Sequence, residues 1–110
     1  MEIHADNIFQ NEDQLRAFVG TPADLAVAKA IDHLDKYCLA FINRSPFVLV
    51  GTASKDGKTD VSPRGDAAGF VHVVDENTLF IPERPGNKRV DTLSNLIENP
   101  SVGLLFLVPG

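Results

Sequence analysis

The apolar pattern of this chain changes period at Ser45-Pro46, and that change constrains the fold more than any other feature. Upstream, Leu25, Ala28, Ile31, Leu34, Cys38 and Phe41 recur at steps of three or four, the stripe of an amphipathic helix. Downstream, Phe47 to Ala53 is a β-type run apolar enough to be largely buried. The 110 residues suffice for one core but not two. The expected organisation is one domain overall, with a helical segment, residues 1–44, packing on a β-rich core, residues 45–110.

Residues 12–19 form a short expected helix with Leu15, Phe18 and Val19 on one face and Gly20 ending it. Thr21-Pro22-Ala23-Asp24 starts a second, with Thr21 as N-cap and Pro22 at the first helical position, running to about Tyr37 or beyond. After Phe47–Ala53, the turn Ser54-Lys55-Asp56-Gly57 returns the chain as a strand over Lys58–Ser62. A corner from Pro63 to Gly69 precedes strands over Phe70–Val74 and Thr78–Ile81, and Pro82 ends the last of these. A helix follows over about 88–98, with Val90, Leu93, Leu96 and Ile97 as its apolar face. Ser101–Val108 is a final, nearly all-apolar strand. Five antiparallel strands with one inserted helix predict a small barrel. Its edges need covering by a partner chain or by residues beyond Gly110.

The net charge of −5 argues against nucleic acid, which needs a basic face. Residues 54–89 hold six Lys/Arg and six Asp/Glu, so the acidic excess lies elsewhere and most cations surround one loop system. That distribution suits a small anionic ligand. A single cysteine, Cys38, rules out an intrachain disulfide or a cysteine metal cluster. His4 and His33 have no partner by spacing, and no metal site is expected. The first residues lack the parts of a signal peptide, and the longest apolar run is too short to span a bilayer. The default is a reduced, cytoplasmic protein with no membrane contact.

Cationic side chains and open backbone N–H groups cluster at both ends of Val61–Arg89. At one end, Ser62, Arg64 and Gly65 offer a hydroxyl, a guanidinium and a backbone N–H to an anion. The bland alternative is a solvated turn after Pro63, with Arg64 paired to Asp66. At the other, Asn87 reads as an N-cap that places Lys88 and Arg89 in the first helical turn, against the positive end of the helix dipole. A bound phosphate relieves that conflict. Arg84 reads as a ligand contact or as an exposed loop cation. His72 alternates with Val71 and Val73 and is expected on the opposite side of its strand, as a surface residue rather than a catalyst. No Ser-His-Asp set, paired carboxylates or Walker-type loop is present.

Several segments together resemble the pyridoxamine 5'-phosphate oxidase-related flavoproteins: Ser45-Pro46-Phe47, Asp60 to Asp66, Gly69-Phe70-Val71, Leu79 to Pro82, Arg84 to Asn87 and Asn99 to Phe106. The resemblance covers the chain from about residue 12 onward. It implies an α+β fold of mainly β character, an FMN-binding split β-barrel with N-terminal helices and one inserted helix. It implies a homodimer with the flavin at the interface. Ser62, Arg64 and Gly65 would lie along the flavin, Ile81 and Pro82 would flank its ring or ribityl chain, and Asn87, Lys88 and Arg89 would hold its phosphate. The Arg-x-x-x-Leu-Lys strand signature of the true oxidases is absent, so pyridoxamine phosphate is not carried over as substrate. The family reading is an FMN-dependent oxidoreductase acting on a small molecule or a nicotinamide reductant, with unassigned catalytic residues. The alternatives are a non-catalytic module for flavin or another planar cofactor, such as a deazaflavin or haem, and a cofactor-free interaction fold.

Overall fold

A computed structural model describes residues 8–83 and 90–110. The chain divides into two units, Met1–Asp32 and His33–Gly110. In the first unit, α1 spans Glu12–Val19. Asn11 caps it, its Oδ1 accepting from Gln14 N at 2.8 Å, while Gln14 Oε1 accepts from Gln10 N at 2.9 Å. This reciprocal pairing satisfies two donors at the helix entry. Gly20, at φ 87°, closes the helix as expected. Helix α2 is a short element, Asp24–Ala28, whose N-cap is Ala23 rather than Thr21.

The long helix expected from Pro22 to Tyr37 does not form. A separate helix, α3, spans Lys36–Arg44. Three hydrogen bonds mark the break. Leu34 N donates to Glu76 O at 2.7 Å, a bond incompatible with the i→i−4 ladder of a continuous helix. Asp35 then restarts the helix, its Oδ1 accepting from Tyr37 N at 3.0 Å and Cys38 N at 2.8 Å. The expected stripe is split accordingly. Leu34 packs against the core, whereas Leu25 is 80% exposed.

Strand β1, Phe47–Ala53, lies between β2, Thr59–Gly65, and β5, Gly103–Leu107, in an antiparallel sheet of order β2-β1-β5. A second sheet pairs β3, His72–Asp75, with β4, Thr78–Phe80, through a register shift between Val73 and Asp75. Helix α4 covers Asp91–Glu98. The described architecture is a mixture of helices and antiparallel sheets. Val48 and Val50 from β1, Ile42 from α3 and Val71 form the buried core, with Val73, Leu79, Ile81, Leu104 and Phe106 packed against it. Both sheets therefore serve one core. His72 is exposed and Val71 buried, the expected alternation.

Strand β2 runs three residues into the expected corner and carries Pro63 within it. The hydrogen-bond pattern makes this possible. Asp66 N donates to Pro46 O at 3.1 Å, so the 46/66 pair is a bonded one and alternate pairs, including Leu49/Pro63, are not. Pro63 nitrogen therefore points away from β1, on an edge strand, and no ladder bond is lost.

Helix α4 is rotated from the expectation, with Leu96 alone of its expected apolar face turned inward. Thr92 is buried, Asn95 and Leu96 are half-buried, and Leu93 and Ile97 are exposed, Ile97 by 86%. Polar pairs decide the orientation. Asn95 Nδ2 donates to the buried Thr52 Oγ1 at 3.0 Å, Thr92 Oγ1 approaches Asp60 Oδ2 at 3.5 Å, and Lys55 N donates to Glu98 Oε2 at 3.2 Å. Thr52 would be left unsatisfied if the apolar face packed inward.

Ser45 joins these elements. Its N–H donates to Ile42 O, ending α3, and its carbonyl accepts from Gly69 N at 3.2 Å. Its Oγ lies 2.7 Å from Phe47 O and 2.6 Å from Leu107 O, with one proton serving both. Ser45→Ala removes these bonds from a residue 1% exposed, and an expected loss of about 1–3 kcal/mol would appear as a lower urea midpoint at unchanged slope. At the other end of α3, the cap bond from Cys38 N, foremost, holds the Asp35 carboxyl below its ordinary value of 3.8. A carboxyl depressed in the folded state contributes stability above its unfolded value and loses it as pH falls through the folded one. Asp35→Asn keeps a cap acceptor but not this titration. Its midpoint should therefore fall less than wild type's between neutral and strongly acid pH.

Candidate functional site

Alternation along β2 decides which side chains meet. The register pairs Val48 with Arg64, Val50 with Ser62 and Thr52 with Asp60. Ser62 and Arg64 therefore stand on the same face of the sheet as the core valines, at its edge, and both are half-buried. Arg64 Nε donates to Ser62 Oγ at 3.0 Å, and Nη1 meets Glu83 Oε2 at 2.6 Å. The Arg64 side chain is 20% exposed and that of Glu83 50%. The extended β2 thus replaces a solvated turn after Pro63 with a partly desolvated guanidinium held in a defined direction.

Pro63, Arg64, Gly65, Asp66, Phe70 and Pro82 line a cleft of 210 Å³ beside this pair. Its lining is apolar at Pro63, Phe70 and Pro82 and charged at Arg64 and Asp66. Small-molecule sites are usually about 300–1,000 Å³, so this cleft has room for only part of a cofactor-sized ligand. A larger hollow of 330 Å³ beside Gly51 and Gly103 is lined by Thr52, Thr59, Asp60 and Asn99 but by no cation, and one of 420 Å³ lies between α3 and Val108–Gly110.

Of the residues selected from sequence, Arg64, Gly65 and Pro82 meet at the cleft and Ser62 joins through Arg64. Ile81 packs against the core. Arg84, Asn87, Lys88 and Arg89 lie outside the described residues. The described α4 begins at Asp91 with Val90 as N-cap, and its first turn carries an acid, which suits the helix dipole. Glu83 was not selected. Its signal in the sequence was a carboxylate placed directly between the strand-ending Pro82 and Arg84.

Among the described residues no group of three or more His, Cys, Asp or Glu is placed to hold a metal. No helix there is long and apolar enough to cross a membrane.

A family model described as pyridoxamine 5'-phosphate oxidase matches residues 34–109. The chain belongs to the pyridoxamine 5'-phosphate oxidase family. No curated protein and no solved structure matches it. The family region opens at Leu34, whose N–H leaves the helical path for Glu76, and it encloses every residue lining the cleft.

The two glycines of this corner differ in what they tolerate. A Cβ on Gly65 would meet Phe47 Cδ2 at 3.4 Å and Pro46 O at 3.5 Å, ordinary contacts. Gly69 sits at φ 81°, and its Cβ would lie 3.0 Å from Asn43 O. Gly65→Ala should stay within about 1 kcal/mol of wild type in denaturant unfolding. Gly69→Ala should lose more than about 1 kcal/mol, through the left-handed backbone and the contact with Asn43.

Proposed function

We propose that this chain is an FMN-binding oxidoreductase of the split β-barrel type, with one end of its flavin in the Arg64 cleft. The observation that carries the reading is the convergence, inside the family region, of guanidinium, hydroxyl and glycine backbone with three apolar walls. This donor set fits a planar, polar-edged ring. Bound flavin would supply hydride transfer. Arg64 and Ser62 would orient its edge by hydrogen bonds, while Pro63, Phe70 and Pro82 would keep water from its face. Lys88 and Arg89 are assigned to its phosphate on the family resemblance and their charge.

The cleft's small volume supports a site shared between two chains. So does the outer face of the first sheet, where Val61 is 64% exposed, Leu105 56% and Leu107 43%. A homodimer that covers this face and completes the flavin site is part of the proposal.

Freshly purified protein should show the two visible bands of oxidised flavin, and heating should release FMN identifiable by mass. Lys88→Ala and Arg89→Ala should each weaken FMN binding about ten- to a hundredfold. Wild-type affinity in both variants would remove the phosphate assignment. Colourless protein that also fails to take up added FMN would remove the flavin.

A further inference from the structure

Arg64 faces the cleft with its charge already matched. Glu83 Oε2 lies 2.6 Å from Nη1, and Asp66 lines the same cleft. The guanidinium thus already has a carboxylate against it. A phosphate placed here would gain Arg64 only by displacing Glu83 or lying beside it, and like charges at such range repel strongly in a partly desolvated site. A neutral carbonyl edge meets no such penalty. The guanidinium has five N–H donors, of which the Ser62 and Glu83 bonds use two. Ser62 Oγ accepts from Nε, which leaves its own proton for a ligand oxygen.

We propose that Glu83 is a specificity-determining residue that closes this cleft to phosphate and keeps Arg64 as a donor to a neutral, carbonyl-bearing ring edge. The identity of that edge as flavin rests on the proposed function; the exclusion of phosphate does not. Glu83 acts through Arg64, so it is a positioning residue. Its effect is to fix which end of a phosphorylated cofactor enters. The side chain is half-exposed, and an ion pair of this exposure contributes little to folding, so Glu83 can be neutralised without unfolding the chain.

The test uses the full chain as wild type, Glu83→Gln and Glu83→Asp. Inorganic phosphate is titrated while the NMR signal of Arg64 Nε–H is followed. Riboflavin, which has the ring but no phosphate, is titrated by fluorescence with and without that phosphate. In wild type and Glu83→Asp, phosphate should leave the Arg64 signal in place and riboflavin affinity unchanged. In Glu83→Gln, phosphate should shift the signal saturably and weaken riboflavin binding about tenfold. A purely structural role for Glu83 would alter riboflavin binding without creating phosphate sensitivity. Phosphate that moves Arg64 Nε–H in wild type, or that fails to move it in Glu83→Gln, would overturn the proposal. If wild type binds neither riboflavin nor FMN, the flavin reading fails, and the phosphate titration still decides the role of Glu83.

Discussion

The hydrogen bonds of Ser45 are the constraint on which the remaining structure depends. Through its N–H, carbonyl and hydroxyl, one buried residue ends α3, holds the corner at Gly69 and bridges the start of β1 to the end of β5. Adjacent Pro46 accepts from Asp66, which continues the β1–β2 ladder beyond Gly65. The helix, three strands and the corner beside the candidate cleft are therefore indexed to a single dipeptide. Burying its polar groups without partners would be costly, and each one described has a partner.

From that junction the register does the rest. Once Phe47 pairs with Gly65, the two-residue period of β2 commits Arg64, Ser62 and Asp60 to the core side of the sheet. Arg64 reaches solvent only at the sheet edge, where Glu83 meets it after Pro82 has stopped β4 from lengthening. A basic side chain in a row with core valines is tolerable there because both of its described bonds are charge-assisted or directional.

Much of this was legible in the residues. The Asp56-Gly57 turn, the β1 run, Gly20 as a helix stop and the exposed side of His72 follow from local chemistry, and the structure has them. Ser62, Arg64 and Gly65 were recognisable by residue type and Pro82 by family resemblance. Other features depend on partners distant in sequence. The stripe from Leu25 to Phe41 looked continuous because periodicity cannot register that Leu34 N–H bonds to Glu76. The extension of β2 through Pro63 depends on which of its flanks lacks a neighbour. Glu83 looked like one more loop acid because nothing local places it against Arg64. Hydropathy alone misplaces the inner face of α4 because buried Thr52 needs Asn95, a demand that an apolar pattern does not carry.

The orientation of α4 also bears on how the fold comes apart. A helix seated by apolar area resists separation through the water it excludes, and denaturant and heat capacity both register its release. Helix α4 is seated by hydrogen bonds from Thr92 and Asn95 and a tether between Glu98 and the β1–β2 turn, with Ile97 already in solvent. Lifting it would uncover half-buried Leu96 but no fully buried apolar side chain of its own. Its opening would then be nearly independent of denaturant, a local breathing mode set apart from global unfolding.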